Sequence, residues 1–305
     1  MTRFLAGRIL SSLLVIFVVA TLTFFIMHNV PGGPFDKEKS FPPEIKANIE
    51  AKYHLNEPVW KQYQYYMADL LHGDLGPSFK YRNRRVQDIL ADTLPVSAQL
   101  GVLALLIAVV LGVSAGIVSA VWRDSVFDRL SIFGASLGIA LPSFVLGAFL
   151  IFAFAYQLKF LPPALWESPR HMVLPAITLG LAPASYLARL TRSSMLEVLE
   201  KDYVRTARAK GLSGARVILK HVLRNSLGPV VTVVGPLVAM LITGSFIVEK
   251  IFSVPGMGRF FITAVTNRDY PLIMGVTLVY TTLIVFMNFV VDIVYTFLDP
   301  RVRLE

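Results

Sequence analysis

Six stretches of this chain stay apolar over about the length that a helix needs to cross a bilayer, roughly 20 residues. They run from about Ile9 to Val30, Val96 to Trp122, Leu130 to Tyr156, Met172 to Leu190, Leu227 to Val248 and Leu272 to Leu298. A bilayer core holds no water to satisfy backbone N–H and C=O groups, so each run is predicted to be a transmembrane helix. Breakers punctuate the pattern. Pro31-Gly32-Gly33-Pro34 stops the first run. Pro142 falls in the middle of the third, where it is expected to kink the helix. Pro183 lies in the fourth and Pro229 and Pro236 in the fifth, placed to shape a path through the bundle or merely tolerated by neighbouring helices. Gly112 and Gly116, four residues apart, suit close helix packing.

The polar stretches between the runs divide the chain. Residues 1–30 hold a short N-terminus and the first helix, 31–95 a polar segment, and 96–305 a core of five helices interrupted by a connection at 191–225. Within the polar segment, Ile45, Ile49 and Tyr53 recur every four residues, and a second amphipathic helix is predicted over Pro58 to Leu71, with Trp60, Tyr63, Met67 and Leu70 on one face. Gly73-Asp74-Leu75-Gly76-Pro77 reads as a turn. Neither an internal repeat nor a low-complexity tract is visible. The first run follows Arg3 and Arg8 as a signal peptide would, but it is long and lacks a small-residue cleavage site, so an uncleaved helix is expected.

Composition sharpens this picture. Hydrophobic residues make up 55% of the 305, above the roughly 45–50% of soluble domains, and the mean hydropathy is +0.62. The formal charge of +9 would suggest nucleic acid or an acidic partner in a soluble protein. Here its distribution points to topology. Arg3, Arg8, Arg123, Arg129, Arg301 and Arg303 fall on the side that six spans assign to both termini, together with nine lysines and arginines of the connection between the fourth and fifth runs. Positive loops stay in the cytoplasm, so both termini are expected there and Phe35–Leu94 outside. Cysteine is absent, which removes disulfides, thiolate metal sites and a cysteine nucleophile.

The connection at 191–225 carries the functional signal. Met195 to Leu199 continues the helical period beyond the membrane, and Val204 to Gly211 reads as a short basic helix stopped by a glycine that can adopt the left-handed conformation. A second helix, about Gly214 to Leu223, returns to the bilayer. Small residues, a glycine bend and a basic rim make a docking knob, though spacing alone equally describes a positive loop that only holds topology.

Thr206-Ala207, then Gly211, then Leu223 resembles the EAA loop of ABC importer permeases. Arg205 stands in place of its Glu, His221 of its Ile and Arg224 of its Pro, while Arg-Thr-Ala-x-Ala-Lys-Gly looks like the peptide-permease form. The likeness extends along the chain. Asn48 to Leu55, Gly73-Asp74-Leu75-Gly76-Pro77-Ser78-Phe79, Val254-Pro255-Gly256-Met257-Gly258, Asn267-Arg268-Asp269-Tyr270 and Asp299-Pro300-Arg301 are similar to segments of the oligopeptide permease B-type subunit.

The resemblance implies an all-α integral membrane protein of the type I importer fold, with six transmembrane helices and a helical periplasmic insertion after the first. It implies the permease subunit of an ATP-driven oligopeptide importer in a bacterial inner membrane, with dipeptide or nickel and metal-chelate import as the alternative. The implied partners are a second homologous permease, two ATP-binding cassette subunits, and a periplasmic or lipid-anchored peptide-binding protein. Arg205, Thr206, Ala207, Arg208, Ala209, Lys210, Gly211 and Leu223 would couple to an ATPase. The outer segment would contact the binding protein or cap the pore.

No phosphate-cradling Gly-x-x-x-x-Gly-Lys-Ser/Thr loop is present, so ATP and magnesium are expected on the partners, with no cofactor and no enzymatic activity in this chain. The five histidines have no metal-ligand spacing, and no serine–histidine–acid grouping stands out. An intramembrane enzyme is disfavoured because polar residues do not cluster at matching depths, and an autonomous channel or carrier because of the docking loop. Asp292, an acid inside the sixth run, is a functional candidate by default. It sits near the cytoplasmic end, where a loop arginine is its expected structural partner.

Overall fold

The computed structural model describes residues 2–31, 53–81 and 83–298. The helix expected around Ile45 and Ile49, and the closing Asp299-Pro300-Arg301, lie outside these. The described elements are helical apart from one isolated bridge, Pro77 with Arg85. Five helices are long and apolar enough to cross a membrane, six when one bent pair counts as a span.

α1 (Thr2–Asn29) is apolar almost all round, and only Ala20 and Phe24 of its described side chains are buried. α2 (Val59–Leu71) matches the predicted amphipathic helix, although Trp60 is exposed and only Tyr63, Met67 and Leu70 of its expected face are half-buried. α3 (Val86–Val121) begins ten residues before the apolar run that predicted it. Asp88 and Asp92 made this start look like loop. Yet Val86, Ile89, Leu90, Thr93 and Ser97 form a buried stripe at helical spacing, and the Arg85 N–H donates to Asp88 Oδ2 at 3.2 Å.

α4 (Val126–Ala140) and α5 (Ser143–Leu150), the latter continued by a π-helical turn (Ile151–Gln157), correct the third span. Pro142 does not kink one helix; the two halves are bent by 111°. Leu141, the residue before the proline, is extended at ψ 121°, as the clash with the proline ring demands.

α6 (Pro169–Leu199) is the central helix, half-buried inside the bundle. It lies so close to α3 that a Cβ on Gly112 would come within 2.5 Å of the Ala184 carbonyl oxygen, and one on Gly116 within 2.5 Å of Thr191 Cβ. These two glycines work as predicted, letting backbones approach.

Beyond α6 come α7 (Asp202–Ala209) and a return segment made of Gly214–Arg216, a π-helical stretch Val217–Leu223, and Arg224–Ser226. The fifth span is met by Gly228–Ile251, which counts as one crossing segment although its helix is interrupted. It breaks into α8 (Gly228–Ile242) and α9 (Phe246–Ile251), because Gly244 turns the chain at φ +80° and Ser245 accepts the Val248 N–H to start a new helix.

α10 (Met257–Asn267) and α11 (Tyr270–Leu298) complete the described residues. α1 and α11 are antiparallel: His28 meets Tyr270 at one end, and Arg8 lies 2.5 Å from Asp292 at the other. Asp292 thus pairs with a guanidinium on the first span rather than in a loop. The start of α1 and the end of α11 share this terminal end of the bundle.

Two of the sequence motifs owe their residues to buried carboxylates. Glu249, 0% exposed, accepts the Gly258 N–H at 2.7 Å and the Arg259 N–H at 3.3 Å, and a Cβ on Gly256 would stand 2.4 Å from its Oε2. The Val254–Gly258 motif is therefore the turn that wraps this side chain. Asp269, also buried, accepts the Ser78 hydroxyl and the Phe79 N–H. It joins the end of the 73–79 motif to the start of α11.

Candidate coupling site at the terminal end

α6 carries its helical period past the bundle and delivers the chain to α7, which packs back on it. Val204 and Ala207, three residues apart and so on one face, are buried with Ala120 of α3, Met195 of α6, and Val217 and Val222 of the return segment. This small apolar core makes the connection a rigid knob.

α7 ends at Gly211, whose φ of +76° is the left-handed conformation that the sequence reading required. No neighbouring atom lies within 4 Å of where its Cβ would be. Backbone conformation, not space, selects glycine here. Its N–H donates to the Arg208 carbonyl at 3.0 Å, and the Leu212 N–H to the Ala207 carbonyl at 3.4 Å.

The predicted coupling residues divide by this geometry. Arg205, Thr206, Arg208, Ala209, Lys210 and Gly211 are exposed. Ala207 faces the knob's own core, and Leu223 is half-buried at its rim. Tyr203, 44% exposed on the outer face, was not singled out from the sequence. Its signal was available: it lies three residues before Thr206, the spacing that shares a helix face.

Arg205 pairs loosely with Asp202 at 3.6 Å and Lys201 with Glu197 at 3.0 Å. The adjacent Glu197 carboxylate holds the Lys201 ammonium pKa above its usual value. Arg208 and Lys210 have no acidic partner among the described residues, which leaves the outer face with a net positive charge.

A second tie lies beneath the knob. Asp128, at the start of α4, receives Arg192 of α6 through two bonds, Nε to Oδ1 at 2.8 Å and Nη2 to Oδ2 at 2.9 Å. The Ser119 hydroxyl of α3 donates to the same carboxylate, as does the Asp124 N–H at 2.9 Å. The Asp128 side chain is only 3% exposed. Three helices thus meet at one acid beside the knob. From the sequence, Arg192 counted only as a topological charge and Asp128 was not noticed. Ser125-x-x-Asp128 has the spacing of a helix cap, and Ser125 does accept the Asp128 N–H at 3.3 Å, but a cap pattern says nothing about a partner on α6.

Among the described residues, no group of three or more histidines and acids could hold a metal ion. The site is a basic knob at the end of the 31-residue α6, tied to α4 by a charge pair and to α3 through the Ser119 hydroxyl.

Residues 96–304 match the family described as binding-protein-dependent transport system inner membrane component, and residues 1–101 match its N-terminal counterpart. The chain is 46% identical to the dipeptide transport system permease protein DppB of Bacillus subtilis, over 100% of this chain and 99% of that one. It is 45% identical to the oligopeptide transport system permease protein OppB of Haemophilus influenzae, over 99% and 100% respectively. Among solved structures, an amino acid ABC transporter aligns over 68% of this chain and 93% of its own, at 15% identity and a TM-score of 0.55. The MetNI methionine ABC transporter, in inward-facing conformations, aligns over 68% and 95%, at 17% identity and a TM-score of 0.52. Both structures share the fold.

Proposed function

Because the chain belongs to the family of binding-protein-dependent transport system inner membrane components, we propose that it is one permease subunit of an ATP-driven peptide importer and that α7 is where the motor pushes. The observation that carries the transport reading is the match, along the whole length, to permeases of oligopeptide and dipeptide systems. Oligopeptides are the primary substrate reading. ATP hydrolysis belongs to separate subunits.

In this reading the protein lies in a bacterial inner membrane, with the terminal end, where the lysines and arginines of 191–225 gather, facing the cytoplasm. A second homologous permease completes the passage, two ATP-binding cassette subunits sit below, and a binding protein delivers peptide from the other side. One ATPase presents a cleft to the exposed face of α7, which offers Tyr203, Thr206 and Lys210 at three- and four-residue spacing, flanked by Arg205 and Arg208. Closure of the ATPases displaces the knob, and its own apolar core makes it move as a unit. The Asp128–Arg192 pair then passes the displacement from α6 to α3 and α4 as a rigid-body switch between two packings. The tie from Asp269 to Ser78 and Phe79 supports a capping role for the inner edge of the outer segment.

Gly211 tests the coupling. Proline has no N–H and cannot adopt φ +76°, whereas asparagine tolerates the left-handed region. In the complete complex, Gly211→Pro is expected to abolish peptide uptake or to release the ATPase, and Gly211→Asn to keep both. Normal uptake and normal ATPase copurification with Gly211→Pro would refute the coupling role. Absence of any ATPase from the purified wild-type complex would refute the importer reading itself.

A further inference from the structure

The solvent-free faces of a membrane protein betray what they meet. Along α1 the exposed side chains are those of lipid contact: Ile9, Leu10, Leu13, Leu14 and Phe17. The exposed stripe of α6 differs. At spacings of four, three, four and four it reads Ala182, Tyr186, Arg189, Ser193 and Glu197. Tyr186 and Arg189 stand at the end of the membrane run, and Ser193 and Glu197 lie beyond it, where acyl chains give way. The stripe belongs against water, substrate or protein.

This stripe borders an open cleft of about 610 Å³ between α4 and α6. Ile132 and Ile139 of α4 form its apolar wall, and Tyr186, Arg189, Arg192 and Ser193 its polar one. The two arginines are not equivalent. Arg192 is neutralised by both oxygens of Asp128. Arg189, one turn deeper into the bundle, has no acidic partner among the described residues. The nearest acid on its stripe, Glu197, already holds Lys201 at 3.0 Å. The cleft therefore presents one uncompensated positive charge, flanked by two neutral hydroxyls, opposite an apolar wall.

We propose that this α4–α6 cleft lines the substrate passage and that Arg189 takes the terminal carboxylate of the travelling peptide. The inference rests on the peptide-importer reading. The chemistry suits that ligand. A guanidinium binds a carboxylate through two parallel charge-assisted bonds, and the Tyr186 and Ser193 hydroxyls lie on the same stripe as further donors. Every linear peptide ends in a carboxylate whatever its side chains, so one fixed cation serves a carrier of varied peptides while the apolar wall accepts diverse residues.

The test uses the complete complex, reconstituted in vesicles with its binding protein and ATPases. Uptake of one short peptide is measured as the free acid and as the C-terminal amide, for the wild type, Arg189→Lys and Arg189→Gln. The binding protein is the same throughout, so its own preference cancels when acid-to-amide ratios are compared. Arg189→Gln is expected to lower that ratio about tenfold, the worth of one charge-assisted bond, and Arg189→Lys to keep part of it. An unchanged ratio would overturn the proposal, whether uptake stayed normal or fell equally for both forms as loss of a lipid contact would cause. Loss of the second permease from the purified Arg189→Gln complex would also overturn it, by making Arg189 an interface residue. A wild-type complex that imports neither form would instead fail the peptide reading on which the proposal stands.

Discussion

Two buried carboxylates hold the two halves of this bundle, and they do it differently. Asp128, beside the terminal-end knob, accepts chiefly from side chains on other helices, Arg192 and Ser119. Glu249, in the first turn of α9, accepts from the backbone amides of Gly258 and Arg259, nine and ten residues further on. The first is a joint between rigid bodies. Its bonds can lengthen or break while each helix stays intact, as the proposed coupling at this end requires. The second is a clasp on the path of the chain itself. Opening it would orphan the buried Gly258 amide and loosen the start of α10. One carboxylate therefore ties separate helices together, and the other ties the chain to itself.

Three changes test that contrast. The largest effect is expected from Glu249→Ala. It leaves the buried Gly258 N–H and the half-buried Arg259 N–H without an acceptor, at a cost of about 3 kcal/mol. Loss of monodisperse protein on extraction, or a sharply lowered melting temperature, would be the sign. A melt equal to wild type would show that the clasp is dispensable.

Asp128→Ala should cost less. A fully buried pair broken on one side loses about 3–5 kcal/mol, but the Arg192 side chain is 25% exposed and reaches water, so about 2 kcal/mol is expected. Its distinctive outcome is functional. Folded complex should hydrolyse ATP with reduced peptide uptake per ATP, and an unchanged ratio would remove the joint from the coupling path.

The smallest effect concerns Asp74, at the outer turn. The Gln87 amide and the Gly76 N–H both donate to it and hold its carboxyl below the usual aspartate value. A carboxylate with a depressed folded-state pKa contributes stability above its unfolded value, near 3.8, and loses it as pH falls through the folded one. Asp74→Asn should thus melt slightly below wild type at neutral pH, and the difference should vanish in strong acid. A difference that persisted there would assign the effect to packing rather than charge.

Much of the architecture was legible because it depends on neighbours in sequence. The apolar runs located the membrane helices, Gly211 the end of α7, and Gly112 and Gly116 the close contact with α6. The failures have local causes too. The first turns of α3 carry Asp88 and Asp92 on their exposed side and so resemble a loop by composition, although Val86, Ile89 and Leu90 already had helical spacing. Pro142 announced a disturbance, but whether a helix bends slightly or turns by 111° is decided by what α4 and α5 pack against. Gly244 lay unnoticed in an apolar run.

By itself the sequence determined which segments cross the membrane, which end gathers positive charge, and where the basic knob stops, because periodicity, hydration cost and steric limits on φ act within a few residues. Only the tertiary structure decided which charges matter. Asp128 finds Arg192 across 64 positions, and Asp269 reaches Phe79 across 190. Arg189 and Arg192 look alike on paper until packing gives a counter-ion to one and an open cleft to the other. Burial sets the worth of a charge, and burial is a property of elements brought together from far apart in the chain.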